Sequence, residues 1–180
     1  MNRKTADLTH RLAGMDDLDA LRVLMDAAIS QLQRPFLDDD QIASSRTIMG
    51  LDTQLIMDRT YFVVEAGGEL AGCGGWSRRA TLYGADQSPG RDAALLDPAQ
   101  HAARIRAMYT HPQHTRKDVG RLILSLCEAA ARAEQFKRVE MMATLAGEPL
   151  YRACGYAAIE RTVDDRGGAA VPLLRMQKLL

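Results

Sequence analysis

The sequence has little cysteine, few aromatic side chains and no net charge. Its 180 residues include three cysteines, Cys73, Cys127 and Cys154, an odd number without CxxC spacing, so neither a disulfide framework nor a zinc site is expected. Basic and acidic residues each number 23, which argues against binding nucleic acid or an anionic membrane through bulk charge. Aromatic residues make up 5%, too few to favour a base-stacking surface.

Long apolar runs and a metal-ligand pattern are also missing. No run approaches the ~20 residues that span a bilayer. The segment MNRKTADLTHRLAG has no apolar stretch typical of a secretory signal, so we expect a cytoplasmic protein. The four histidines are scattered and predict no metal site. The length predicts a single domain over residues 1–180, in which the polar residues 1–12 are expected to be flexible.

Apolar spacing and turn residues predict an α/β (α+β) domain with a mixed, mostly antiparallel sheet. Helices are predicted over 17–32, 41–49 and 119–134, with a short helix that ends before Gly155, and strands over 61–65, 70–76, 103–110, 138–144, 156–161 and 171–178. Segment 52–59 is ambiguous. Segment 79–102 is a long loop, a feature that is usually functional or mobile. Strands 103–110 and 138–144, joined by a helix, should be parallel.

Basic residues cluster where strand 103–110 turns into the long helix. The cluster comprises Arg104, Arg106, Arg116, Lys117 and Arg121. A helix N-terminus offers free N–H groups and the positive end of the helix dipole, which together suit a phosphate. A phosphate or pyrophosphate site and a solvated basic helix start both remain open from these residues alone.

Two segments in this order, HPQHTRKDVGRLIL at 111–124 and PLYRACGY at 149–156, resemble the GNAT superfamily of N-acetyltransferases. The segment GGWSRR at 74–79 resembles bacterial members of it. The resemblance implies a central sheet flanked by about four helices, with splayed parallel strands that form a coenzyme A cleft. It also implies acetyl-CoA as co-substrate and transfer of the acetyl group to an amine by direct attack in a ternary complex. The acceptor would be a small-molecule or peptide amine, and a homodimer is possible.

The resemblance also implies roles for individual residues. Backbone groups of Met108, Tyr109 and Thr110 would pair with the pantetheine amides. The pyrophosphate would be bound by the backbone of Thr115, Arg116, Lys117, Asp118, Val119, Gly120 and Arg121, with added charge from three of these side chains. Tyr151 matches the tyrosine that donates a proton to the departing thiolate. Without the motif, Tyr151 would be interpreted as a packing tyrosine.

Asp118 stands where the family usually has glycine. If the backbone there is left-handed, aspartate costs of order 1 kcal/mol and places a negative charge near the pyrophosphate. Alternatively, Asp118 points to solvent and caps the helix. The first case favours an alternative function, a non-catalytic CoA-binding or regulatory module. No general base is assigned: Glu140 is a candidate, although a solvent-facing strand glutamate is the more common situation.

Overall fold

The computed structural model describes residues 7–180. Its strands are β1 (Leu8–Leu12), β2 (Tyr61–Ala66), β3 (Glu69–Ser77), β4 (Ala103–Thr110), β5 (Arg138–Thr144), β6 (Ala157–Asp164) and β7 (Val171–Leu179). Its helices are α1 (Leu18–Leu32), α2 (Asp39–Ser45), α3 (Thr53–Met57), α4 (Val119–Ala133) and α5 (Glu148–Ala153), with short 3-10 turns at Met15–Asp17 and Pro112–His114. The ambiguous segment 52–59 thus contains a helix, which brings the α-helices to five where about four were expected. None of the helices in residues 7–180 is long and apolar enough to cross a membrane.

The seven strands form one sheet in the order β1-β2-β3-β4-β5-β7-β6. Every neighbouring pair is antiparallel except β4 and β5, which confirms the predicted mixed, mostly antiparallel sheet. The parallel pair is short: only Ala103 with Val139 and Arg104 with Glu140 are in register. Beyond these residues the two strands part, and this splay opens the sheet in its middle.

The expectation that residues 1–12 are flexible is wrong for residues 8–12. They form β1, which pairs along its whole length with β2. Arg11 fixes the strand by binding Asp17 at 2.8 Å and Glu65 at 3.1 Å. A polar sequence is compatible with an edge strand because most of its side chains face water. Residues 1–6 lie outside the described part of the chain.

Two apolar cores cover the two faces of the sheet. On one face, α4 buries a stripe that packs against β2, β3 and β4: Val119, Ile123, Leu124, Cys127 and Ala131. On the other face, α1 buries its own stripe against β3 and β4: Leu21, Leu24, Met25, Ala28 and Ile29. Each stripe repeats every three or four residues, as an amphipathic helix requires.

Glycine in β3 sets the distance between α4 and the sheet. A Cβ atom at Gly74 would lie 2.7 Å from the Cγ2 atom of Ile123, closer than atoms can pack. The GGWSRR segment therefore has a structural role here, because it lets α4 approach the sheet closely.

The long segment 79–102 contains no helix or multi-residue strand, but ion pairs attach it to the scaffold. Arg79 binds Asp58 at 2.7 Å, and Arg91 binds the buried carboxylate of Asp52 at 2.8 Å. Arg106, from β4, binds the same Asp52 carboxylate at 2.7 Å and the carbonyl oxygen of Thr81 at 3.0 Å. The segment is thus held in place by buried charge and not by secondary structure.

Candidate functional site

The parting of β4 and β5 forms a cleft of about 840 Å³ that is lined by elements from both faces of the sheet. One end, which we call the α4 side, is lined by the turn before α4, the first residues of α4, and α5. The other end, the α1 side, is lined by the C-terminal part of α1 and by residues from segments 48–50 and 82–84 and from β7. Strand β4 runs between the two sides.

A bulge in β4 lies at the centre of the cleft. Ala107 has a positive φ of 49°, and the register of β4 with β3 shifts at this point. The hydroxyl of buried Tyr61 donates a hydrogen bond of 2.7 Å to the Ala107 carbonyl oxygen, which holds the bulge in place. Beyond it, Tyr109 and Thr110 pair with β3 only, so the β5-facing edge of β4 keeps free backbone donors and acceptors.

The turn that follows β4 presents the N-terminus of α4 to the cleft. The first intrahelical bond runs from the Leu122 amide to the Asp118 carbonyl at 2.9 Å. The amides of Val119, Gly120 and Arg121 precede that bond and have no partner inside the helix. Such a group of amides, at the positive end of a 15-residue helix, is an anion-binding arrangement.

Asp118 adopts the left-handed conformation, with φ 63° and ψ 8°, and so does Arg116, with φ 58°. The backbone condition for a penalty at Asp118 is therefore met. Of the alternative, the exposure of Asp118 to solvent is confirmed, whereas the helix cap is wrong because the side chain makes no capping hydrogen bond. Its carboxylate is 75% exposed and lies 3.6 Å from the Arg121 guanidinium.

Gly120 serves helix packing more directly than ligand approach. A Cβ atom there would lie 2.6 Å from the Cδ2 atom of Leu150 on α5. The glycine therefore brings α4 and α5 together, and α5 carries Tyr151 into the cleft.

The basic cluster divides into two groups. The exposed side chains of Arg116 and Arg121 line the α4 side, whereas Lys117 does not line the cleft. Arg104 and Arg106 instead form ion pairs, of 2.8 Å with Glu140 and 2.7 Å with Asp52.

Glu140 does not face solvent. It is 7% exposed and lies between Arg104 and Arg175, each 2.8 Å from its carboxylate. Glu140 does not line the cleft, so it stands apart from any acceptor. The more common interpretation of a strand glutamate is wrong here, and the paired carboxylate is no candidate for the general base.

Tyr151 is both a packed tyrosine and a cleft residue. It is 8% exposed, and its ring lies against Gly147, where a Cβ atom would be 2.7 Å from its Cε2 atom. Its hydroxyl has no hydrogen-bond partner among residues 7–180. Burial raises the pKa of Tyr151 above its usual value, so the phenol is protonated at neutral pH.

The sequence pattern of the Acetyltransferase (GNAT) family matches residues 24–156. The chain belongs to the GNAT acetyltransferase family. Its fold is similar to that of a GCN5-related N-acetyltransferase from Rhodopseudomonas palustris, at 18% identity over 96% of this chain and 95% of that one, with a TM-score of 0.70.

Two further similar structures contain the co-substrate or its product. PaiA N-acetyltransferase from Thermoplasma acidophilum, in complex with coenzyme A, is 13% identical over 97% of this chain and 99% of that one, with a TM-score of 0.63. YncA, a putative acetyltransferase from Salmonella typhimurium with acetyl-CoA, is 19% identical over 96% and 94%, with a TM-score of 0.61. A search among curated proteins finds no match. The likeness to a bacterial subtype with GGWSRR stays a prediction.

In this GNAT protein, nine of the ten predicted cofactor residues line the cleft, Lys117 being the exception. Their contact with the cofactor stays a prediction, as does the catalytic role of Tyr151.

Sequence reasoning missed the α1 side of the cleft. Its most unusual member is Gln33, which is 4% exposed and whose Oε1 atom has no hydrogen-bond partner in the described chain. Gln33 follows Met25 and Ile29 at intervals of four, so a polar residue continues the apolar stripe of α1. This polar residue at an otherwise apolar position of the helical pattern could have been recognised from the sequence.

Proposed function

We propose that this chain transfers the acetyl group of acetyl-CoA to a primary amine by direct attack in a ternary complex. The observation that carries the proposal is the combination, within one cleft, of the open β4 edge with the free N-terminus of α4. The open β4 edge can pair with the amide groups of a peptide-like ligand, as it would with an added strand. The N-terminus of α4 can bind the phosphates of that ligand.

The residues on the α4 side fit acetyl-CoA. Backbone groups of Met108, Tyr109 and Thr110 would hold the two pantetheine amides. The amides at the start of α4 would hold the pyrophosphate, and Arg116 and Arg121 would supply positive charge there. When bound, acetyl-CoA supplies an activated acetyl group as a thioester. The coenzyme present in the PaiA and YncA structures supports this assignment.

Tyr151 is the proposed proton donor. As the bond from the amine nitrogen to the acetyl carbon forms and the carbon–sulfur bond breaks, the hydroxyl of Tyr151 would protonate the departing sulfur. The amine loses one proton to water, and solvent returns one to Tyr151. The protein's main contribution is to hold amine and thioester in reactive geometry.

Deprotonation of the amine should control the pH profile. Asp118 is the only carboxylate among the described residues that line the cleft, and it lies on the α4 side. Because Tyr151 stays protonated well above neutral pH, kcat/KM should rise with pH towards the pKa of the acceptor amine. A profile that is flat above pH 6 would contradict this expectation and indicate a base within the protein.

The alternative is a non-catalytic CoA-binding or regulatory module, which the left-handed, negatively charged Asp118 favours. Calorimetric titration of the full chain with acetyl-CoA, desulfo-CoA and ATP tests the binding site. Release of CoA thiol with a panel of amines then separates enzyme from module. We expect micromolar binding of acetyl-CoA, none of ATP, and amine-dependent release of thiol.

A matched variant makes the binding test specific. Arg121→Glu should strongly weaken acetyl-CoA binding while the chain remains folded, because Arg121 is exposed, lines the cleft and the substitution reverses the charge beside the amides of α4. Millimolar or weaker binding by the unmodified chain would contradict the proposed function. A cytoplasmic location and a homodimer stay predictions.

A further inference from the structure

The α1 side of the cleft is an apolar surface. Its lining includes Leu32, Phe36, Ile48, Met49, Leu82 and Leu173. No acidic side chain among residues 7–180 lines this side. A polycationic acceptor would therefore find no partner for its additional charges, and an acidic acceptor would lose hydration against apolar groups.

The polar groups beside this surface are already engaged. Tyr83 lines the cleft, but its hydroxyl donates a 2.9 Å hydrogen bond to Asp164, and the Arg166 guanidinium lies 5.4 Å from its ring centre. Arg106 gives its hydrogen bonds to Asp52 and to the carbonyl oxygens of Thr81 and Gly84. Tyr83 thus offers a fixed aromatic surface to an acceptor, and Arg106 offers no free charge.

Gln33 is the exception on this side. The other cleft-lining side chain among residues 7–180 with a buried, unpartnered atom is His114, at Nδ1, and it lies in the turn before α4. The Gln33 side chain is nine-tenths buried, it lines the cleft, and its Oε1 atom accepts no hydrogen bond from the described part of the chain. A buried amide without a hydrogen-bond partner is unfavourable in the free protein, and a ligand that hydrogen-bonds to it removes that cost. A site of this kind discriminates between a ligand that has the hydrogen-bonding group and an analogue that lacks it.

We propose, on the basis of the function proposed above, that the α1 side selects a primary amine carried on an apolar chain or ring. That acceptor bears one uncharged polar group, a hydroxyl or an amide, which hydrogen-bonds to the side-chain amide of Gln33. Gln33 is then a specificity-determining residue, and acidic amines and polyamines are poor acceptors.

Matched amines test this selection with the full chain and saturating acetyl-CoA. Tyramine and leucinamide carry an apolar body with such a group, whereas phenethylamine and isoamylamine are their counterparts without one. Glutamate and spermidine represent acidic and polycationic amines. We expect kcat/KM for tyramine or leucinamide, calculated on the concentration of the unprotonated amine, to exceed that for its counterpart by about tenfold, and that for glutamate and spermidine by more.

Gln33→Leu should abolish the preference within each pair. Its acetyl-CoA affinity should be unchanged and its Tm equal or higher, because the substitution removes a buried unpaired group. Gln177→Leu is the matched control, since Gln177 is exposed on β7 and does not line the cleft. It should change neither the preference nor the acetyl-CoA affinity.

The outcomes are separable. Failure of the unmodified chain to bind acetyl-CoA would overturn the proposed function. Turnover of other amines without turnover of any apolar amine, or faster turnover of glutamate or spermidine, would overturn the inference alone. Binding of acetyl-CoA with no turnover of any amine would favour the non-catalytic module and overturn both the proposed function and the inference. A preference that survives in Gln33→Leu would also overturn the inference. A weaker acetyl-CoA affinity in that variant would do the same, because it would indicate that the Gln33 amide contacts the coenzyme and not the acceptor.

Discussion

The two sides of the cleft are formed by different kinds of chemical group. The α4 side consists of backbone amides at a helix start, an open strand edge and the exposed charges of Arg116 and Arg121. The α1 side consists mainly of apolar side chains, with Tyr83 and Arg106 bound to partners inside the protein and one buried amide, that of Gln33, without a partner in the described chain. Backbone amides and exposed positive charges suit a coenzyme that is the same whichever acceptor is used. A side-chain surface can change its selectivity without disturbing the strand and helix that bind that common ligand.

The two sides also depend on different supports. Segment 82–84 on the α1 side is held by the buried pairs of Asp52 with Arg106 and Arg91. The α4 side is held by close packing at Gly120, where α4 meets α5. Substitutions at each support should therefore affect one side and spare the other.

Asp52→Ala should have the largest effect. It leaves the buried guanidinium of Arg106 without its carboxylate, which should lower the free energy of unfolding by about 3–5 kcal/mol. Urea unfolding measures this loss. Asp26→Ala, which breaks an exposed pair with Arg46, is the control and should cost about 0–1 kcal/mol. Equal losses in the two variants would contradict the assigned role of Asp52.

Tyr151→Phe should lower turnover at least tenfold, about 1.4 kcal/mol in the barrier, with little change in acetyl-CoA affinity. Its stability should change little, because the hydroxyl has no partner among residues 7–180. Tyr156→Phe should show the opposite behaviour. The Tyr156 hydroxyl donates to buried Glu128 at 3.0 Å, so its removal should lower stability and spare turnover. Unchanged turnover in Tyr151→Phe would exclude this tyrosine as the acid.

Asp118→Gly should act on the α4 side alone. Removing the charge should tighten acetyl-CoA binding a few-fold, and relief of the left-handed conformation should add up to about 1 kcal/mol of stability. Asp118→Asn separates the two contributions, since it removes the charge and keeps the backbone tolerance. Calorimetry and urea unfolding report them independently. Weaker binding by both variants would show that the carboxylate is useful, for example by orienting Arg121.

The smallest expected effect is the difference in acetyl-CoA affinity between variants of two neighbouring cationic residues, Arg116 and Lys117. Arg116→Ala should weaken acetyl-CoA binding by a few-fold, and Lys117→Ala by less, because only Arg116 lines the cleft. Repeating the titrations with dephospho-CoA identifies the phosphate that is contacted. A larger loss for Lys117→Ala would mean that the turn rearranges when the coenzyme binds.

The same contrast explains what could be predicted from the sequence. The strand, turn and helix of the α4 side follow one another between residues 103 and 133, so a local motif carries most of their geometry. The sequence indicates that the backbone at Asp118 could be left-handed, because the family usually has glycine there and a preference for glycine at one position is a local property. The β4 bulge at Ala107 could not be predicted, because it depends on the hydroxyl of Tyr61, 46 residues earlier.

The α1 side could not be assembled from the sequence in this way. Its members come from α1, from two segments without regular structure, and from β7, and no short spacing links them. The ion pairs that support it join residues 39 and 54 positions apart. The sequence places Arg106 in the cluster of basic residues proposed for phosphate, because a distant ionic partner cannot be recognised from spacing. In the fold, the carboxylate of Asp52 neutralises Arg106 inside the protein.

The parting of β4 and β5 has a kinetic consequence. Because the cleft is lined by elements from both faces of the sheet, we expect donor and acceptor to enter from opposite faces, so that neither ligand has to pass the other. We expect binding in either order, with initial-rate lines that intersect when both concentrations are varied. The two products can also leave by different routes, so that dissociation of one does not wait for the other.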